Sequence, residues 1–195
     1  TVEARLRDKA VRLHARTQFQ DNSDADLELI VKNCGDFSEP EKMPLSGQLD
    51  LNLKDLSPIA HLTNEDVQAT GKFGGRILFG GTARKPTMNG KLALSKGKEK
   101  QGEIFIPAAG IGLKEIKIAL KGDSRSNTID AQLSSGEGKI KLTGVARQDA
   151  KQYWLADFVI FGKKFQAADL PEYSASSAQI SACVMRKQEL DSAGL

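Results

Sequence analysis

The stretch Ile116-Lys117-Ile118-Ala119-Leu120-Lys121 decides the fold, because a large apolar side chain stands at every second position. Side chains of a β-strand point to opposite faces with a period of two, so this stretch predicts a strand with one apolar face and one solvated face. The alternation returns in other runs: Leu49/Leu51/Leu53, Ile77/Phe79, Leu92/Leu94, Ile104/Ile106, Ile129/Leu133 and Ile140/Leu142. The sequence therefore predicts an all-β chain with one long sheet and a continuous apolar face.

Short polar or glycine-rich joins separate these runs. We expect about thirteen strands in a meander, each paired with the one before it, in a single domain over residues 1–195. Two segments differ from this pattern. A cap at Asp55 or Ser57, followed by Pro58, predicts one short helical turn near residues 57–62. Residues 33–44 are rich in Gly, Asp, Glu and Pro, and they predict a break in the sheet or a flexible loop.

Glycines cluster between residues 67 and 83. Gly74-Gly75 predicts a hairpin turn, and Gly80-Gly81 predicts a second turn or a bulge. Residues 84–88 are expected to form a loop before the next strand. A phosphate-binding loop is not expected, because no glycine motif of that kind follows a strand and opens a helix.

Residues 153–161 break the alternation, because Tyr-Trp-Leu-Ala-Asp-Phe-Val-Ile-Phe is apolar on both faces of a strand. Burial on both sides explains such a run, so we expect the sheet edge or a neighbouring segment to cover its back. Asp157 is the one carboxylate in it. It is either a buried, paired group or a residue of the outer face, and the outer face is the preferred interpretation.

Composition limits the classes of function. The chain has 195 residues and a formal net charge of +3, and its lysines are spread over the polar positions of many strands. A nucleic-acid groove would combine a basic patch with exposed aromatic side chains, and aromatic residues are scarce here. No apolar run approaches the ~18 residues that a membrane-spanning helix needs. Cys34 and Cys183 lie far apart, so a disulfide and two separate thiols both stay open.

The sequence offers no catalytic constellation. His14 and His61 are the only histidines, and neither belongs to a zinc, calcium or nucleophile motif. We therefore expect a protein that is not an enzyme and that uses no cofactor or metal. The chain opens in what reads as mid-strand and ends without a closing element, so we expect a piece of a longer protein whose anchor or targeting signal lies elsewhere.

A series of motifs resembles a known family. The series comprises Leu45-Ser46-Gly47-Gln48-Leu49-Asp50-Leu51, Asp55-Leu56-Ser57-Pro58-Ile59-Ala60, Gly71-Lys72-Phe73-Gly74-Gly75, Pro86-Thr87-Met88-Asn89-Gly90-Lys91-Leu92, Gly110-Ile111-Gly112-Leu113, Gly138-Lys139-Ile140-Lys141-Leu142-Thr143-Gly144 and Pro171-Glu172-Tyr173. In order and spacing it is similar to the C-terminal region of the TamB family, the inner-membrane subunits of the bacterial translocation and assembly module.

The resemblance implies a periplasmic segment of a protein anchored in the inner membrane, with the outer-membrane barrel protein TamA as partner. It also implies a β-taco, a sheet folded over on itself around an apolar groove, as in the related bridge-like lipid-transfer proteins. The expected groove-lining residues are Leu49, Leu51, Leu53, Ile77, Phe79, Leu92, Leu94, Ile104, Ile106, Ile116, Ile118, Leu120, Ile129, Leu133, Ile140, Leu142, Phe158 and Ile160.

Three functions are compatible with this sequence. The preferred one is a conduit that carries the acyl chains of phospholipids between the two membranes, because an open apolar strip of this length needs an apolar client. A second is a chaperone that receives nascent strands of outer-membrane or autotransporter proteins by β-augmentation. A third is a structural β-helical fragment with a closed, filled core.

Overall fold

A computed structural model describes residues 1–19, 23–35, 39–56, 67–97, 102–149, 154–170 and 173–188 of the chain. Side chains are described as far as residue 166, residue 40 excepted. The helical turn expected at residues 57–62 lies outside the described residues. The description of the fold that follows applies to the ranges given.

Strands account for nearly all of the described secondary structure. They are β1 (Val2–Arg7), β2 (Ala10–Gln18), β3 (Asp24–Val31), β4 (Leu45–Leu53), β5 (Gln68–Thr70), β6 (Lys72–Gly81), β7 (Pro86–Ser95), β8 (Glu103–Ile106), β9 (Ile111–Gly122), β10 (Ser126–Ser135), β11 (Gly138–Gln148), β12 (Trp154–Leu170) and β13 (Tyr173–Gln188). One 3₁₀ turn occurs at Pro40–Lys42. Among the described residues, no helix is long and apolar enough to cross a membrane.

All thirteen strands belong to one antiparallel sheet. Its main path runs β1-β2-β3-β4-β6-β7-β9-β10-β11-β12-β13, and β5 and β8 lie off this path. The first and last strands of the path do not pair with each other in the described part of the chain, so the sheet is open and is not a closed barrel. The prediction of an all-β chain with one long sheet is confirmed. The predicted meander is interrupted at β5 and β8, because β4 pairs with β6 and β7 pairs with β9.

The register brings the large apolar side chains to one side of the sheet. Leu49 pairs with Ile77, which pairs with Gly90 and, through it, with Leu120. The row continues across β10, β11 and β12 through Ile129, Gly144 and Phe158. Paired residues of an antiparallel sheet point to the same side, so this row defines one face, which we call the inner face.

Charged pairs lie on the opposite side, the outer face. Lys141 Nζ is 3.0 Å from Asp130 Oδ2, and Lys139 Nζ is 3.1 Å from Glu115 Oε2. Asp157 is also an outer-face residue, with its Oδ2 3.3 Å from a nitrogen of Arg147. The structure thus agrees with the preferred interpretation of that carboxylate. Lys141–Asp130 and Arg147–Asp157 join neighbouring strands, whereas Lys139–Glu115 spans from β11 across β10 to β9; exposed pairs of this kind stabilise a sheet modestly.

A small core lies where the chain leaves the main sheet at β5. Leu53, Leu56, Ala69 and Leu94 are buried against one another, and the β5–β8 ribbon supplies Ala69. The corner before β6 is made by Gly71, which has a φ of 96°. A Cβ at Gly71 would lie 2.4 Å from the Cα of Gly102, so the two backbones are too close at this point for a side chain to lie between them.

A bulge in β9 changes which residues of that strand face inward. Glu115 has a φ of 52° and an exposed side chain, and Lys164 in β12 has a φ of 50°, although the β12–β13 register shifts only further on, between Gln166 and Ala168. The β9–β10 register shifts beside Glu115, between Gln132 and Ser134. A bulge of this kind inserts one unpaired residue, so the residues beyond it alternate between the two faces in the opposite phase. Ile111 therefore faces inward, where it is buried.

Several expectations about turns were wrong. Gly74 and Gly75 do not form a hairpin turn but lie inside β6, because β4 and β7 bond to this strand on both sides. Of the two alternatives for residues 33–44, the break in the sheet is wrong, because Val31 pairs with Leu45 across the segment, and the flexible loop stays a prediction. The loop expected at 84–88 ends earlier than predicted, since β7 begins at Pro86.

The outer side of β12 is uncovered, contrary to expectation. Val159 and Phe161 are 44% and 46% exposed. The expected covering segment is not found among the described side chains, and the strand pairs only edge to edge with β11 and β13. Cys34 is a free, buried thiol that donates to the carbonyl oxygen of Val31 at 3.3 Å, so it is not bridged to Cys183.

Candidate functional site

The inner face carries every residue that the sequence predicted to line a groove. The pairing places those of β4, β6, β7, β9, β10, β11 and β12 in consecutive rows, and the β8 residues Ile104 and Ile106 join them through Leu113 and Ile111 of β9. Of the predicted set, only Leu53, Ile77 and Leu94 are buried. The others are half-buried.

This degree of exposure separates the inner face from a closed core. Side chains in a packed core lose nearly all contact with water and interdigitate with few voids. Within the described residues, the side chains with almost no exposure are those of Ser23 and Ser135, both small and polar. Most of the predicted apolar face therefore has room above it. The buried cluster of Leu53, Leu56, Ala69 and Leu94 fills one end, and Met43 and Ile77 are buried outside that cluster.

Asparagine side chains secure the opposite end of the strands. Asn127 Oδ1 accepts from the N–H of Met88 at 2.9 Å, and Asn127 Nδ2 donates to the carbonyl oxygen of Pro86 at 2.8 Å. Asn89 makes a matching pair with the N–H and carbonyl groups of Gly122, both at 3.1 Å. These amides continue the bonding between β7 and the β9–β10 hairpin beyond the last paired backbone positions.

The sheet bends strongly at this end. Gln148 Nε2, at the end of β11, donates to the carbonyl oxygen of Arg84, in the turn between β6 and β7, at 3.4 Å. In a flat sheet β7 and β11 would be roughly 14 Å apart, since neighbouring strands are ~4.8 Å apart. Arg84 Nε and Gln148 Oε1 are both buried and have no hydrogen-bond partner in the described structure.

A cavity of about 240 Å³ opens beside Gln148, and we call it the end cavity. It is lined by Lys85, Pro86, Asp123, Ser124, Arg125, Ser126, Asn127, Gln148 and Trp154. Asp123 Oδ1 accepts from the backbone N–H groups of Arg125 at 2.7 Å and Ser126 at 3.0 Å. These two bonds lower the pKa of Asp123 below its ordinary value of 3.8, so the carboxylate is charged and holds the turn.

A larger cavity of about 500 Å³ lies against the outer face of β1–β4. Its charged lining residues include two close pairs, Arg5 with Glu3 at 2.7 Å and His14 with Asp26 at 3.0 Å. The described residues contain no group of three or more His, Cys, Asp or Glu side chains placed to hold a metal ion.

Comparison with known families gives one match. Residues 1–94 match the family described as TamB, N-terminal domain. The match covers just under half of the chain and supports its relationship to the TamB family. No curated protein and no solved structure matches the chain.

The match corrects the region that the resemblance predicted. The motif series pointed to the C-terminal region of TamB, whereas the matched description is that of the N-terminal domain. An alternation of period two, repeated strand after strand, records which face a residue belongs to but not its position along a long protein. The relationship to the TamB family is supported, and the C-terminal assignment is not.

Sequence reasoning missed the residues at the polar end of the strands. Asn127, Gln148 and Trp154 come from the adjacent strands β10, β11 and β12 and line one cavity, and Asn89 of β7 bonds to Gly122 beside it. Asn89-Gly90 signalled only the start of a strand. The one available signal was that Asn127 and Gln148 interrupt the apolar positions of β10 and β11.

Proposed function

We propose that this chain is a periplasmic conduit segment of a TamB-like protein, and that its inner face carries the acyl chains of phospholipids between the inner and outer membranes. The observation that carries the proposal is the continuous apolar row on an open sheet, most of it half-buried. The similarity of residues 1–94 to TamB supports a role in outer-membrane assembly and a partnership with TamA.

The dimensions of the inner face suit such a client. The eleven strands of the main path extend the face over roughly 50 Å, at ~4.8 Å a strand. Each methylene that moves from water onto this face contributes ~0.8 kcal/mol, so a few carbons in contact hold a chain. Leucine and isoleucine recur along the row. Such a uniform lining favours an acyl chain that slides along the face over one that is bound at a single position.

Substitution of Leu120 by Arg tests the proposal. Leu120 lies in the middle of the inner face, where a guanidinium group would meet an arriving acyl chain without a partner for its charge. Leu120→Arg is expected to abolish lipid co-purification and outer-membrane function. The matched control is Leu78→Arg on the outer face, where the side chain is 49% exposed, and it is expected to retain both.

Circular dichroism and thermal unfolding separate loss of binding from loss of fold. If Leu120→Arg unfolds, the milder Leu120→Asn replaces it in the same assay. A folded inner-face variant with normal lipid content would contradict the proposal. Cross-links from the inner face to nascent barrel strands instead of lipid would favour the chaperone function, while the half-buried inner face argues against a filled structural core.

A further inference from the structure

The end cavity lies where the polar rim of the sheet meets the inner face. Asn127 and Ile129 are two residues apart on β10, and Trp154 and Phe158 are four residues apart on β12. Even spacings place side chains on the same side of a sheet, so all four residues face the same side. Ile129 is therefore ~7 Å and Phe158 ~13 Å along the strands from the cavity. A molecule seated in the cavity would extend directly onto the apolar rows.

The lining of the end cavity suits a small anion. Lys85 and Arg125 supply two exposed cations against one carboxylate, that of Asp123. The carboxylate of Asp123 accepts two backbone hydrogen bonds within its own turn and also interacts with the charge of Arg125, so it offsets only part of the positive charge of the cavity. Ser124 and Ser126 add hydroxyl donors of the kind that bind phosphate oxygens, and Arg can meet a phosphate with two parallel N–H bonds.

Two further features indicate a ligand that is part polar and part apolar. Trp154 lines the cavity, and an indole ring with one apolar body and one N–H is typical of places where polar and apolar surroundings meet. The unpartnered Arg84 Nε and Gln148 Oε1 destabilise the free protein. Of these two residues Gln148 lines the cavity, and a ligand that donated a hydrogen bond to Gln148 Oε1 would offset part of that cost.

We propose that the end cavity binds the phosphate-bearing headgroup of a lipid whose acyl chains lie on the inner face. This inference rests on the proposed function and adds a fixed polar contact point to the otherwise uniform conduit. The same chemistry would accept a free phosphate, and the experiment therefore distinguishes the two sources.

The test compares three probes on the purified 195-residue chain by titration calorimetry. The probes are a short-chain phosphatidylglycerol, the diacylglycerol with the same chains, and inorganic phosphate. The test variant is Lys85→Glu/Arg125→Glu. Its matched control is Lys72→Glu/Lys91→Glu, which makes the same change of charge at exposed strand lysines outside the cavity.

The test variant is expected to weaken phosphatidylglycerol binding at least about tenfold, because it removes charge-assisted bonds, and to leave diacylglycerol binding unchanged. The control should bind both lipids like the native chain, and inorganic phosphate should bind native protein far more weakly than the phospholipid.

Equal affinities of test variant and native chain for phosphatidylglycerol would overturn the headgroup site alone. Phosphate binding as tight as the phospholipid would overturn its assignment to a lipid. A native chain that binds neither lipid would overturn the proposed function itself.

Discussion

Gly90 shows how closely the backbones approach on the inner face. A Cβ at this position would lie 2.0 Å from the carbonyl oxygen of Arg76, which is backbone and cannot move aside. Gly90→Ala is expected to lower the free energy of unfolding by about 2 kcal/mol, the range found for overpacked sites. Chemical denaturation measures it. The control is Gly80→Ala, whose Cβ would meet only the Thr87 hydroxyl at 3.1 Å, and an equal loss there would refute the steric explanation.

Single residues were predictable where the period of two alone decides their side of the sheet. Leu49, Leu120 and Phe158 came from separate runs, yet the register joins them in one row. Conformation at single positions was less predictable. A glycine such as Gly75 is typical both of a turn and of a close approach between backbones. The positive φ of Glu115 accompanies a register shift between β9 and β10 that no local residue type signals.

The β10–β11 hairpin offers a test at the scale of strands. The hydrogen bond from Lys141 lowers the pKa of Asp130 below its ordinary 3.8. A lowered carboxyl pKa contributes stability above pH 3.8, and this contribution is lost as the pH falls through the lower folded value. Asp130→Asn should therefore destabilise the chain slightly at pH 7 and leave it equal to the native chain at pH 2. Urea unfolding at the two pH values checks this, and a difference that persists at pH 2 would contradict it.

Pairing between strands was predictable only for neighbours in sequence. Short joins predicted the consecutive pairs from β9 to β13, and these pairs exist. The β5–β8 ribbon was missed, because its partners are separated by two long strands and the chain turns at Gly71 with little local signal. The expectation that a segment covers the back of β12 was also wrong. A strand sequence that is apolar on both faces does not determine whether Phe161 is covered.

At the scale of the molecule, the open sheet has one apolar side, with a buried cluster around Leu53 and Leu94 at one end of the strands and a polar cavity at the other end. Composition and alternation predicted the sheet and its two unlike faces. They could not predict the end cavity, because it depends on the bend that brings Gln148 to Arg84. The central claim is that the inner face stays accessible to apolar clients.

Photo-cross-linking in living cells tests this claim most directly. A p-benzoylphenylalanine is placed at position 120 of the inner face, Leu120→p-benzoylphenylalanine, and in a second variant at position 78 of the outer face, Leu78→p-benzoylphenylalanine. After irradiation, mass spectrometry should find phospholipid adducts at position 120 and none at position 78. Adducts from position 120 to the chain's own opposite strands, with no lipid, would show that the face is closed and would contradict the account.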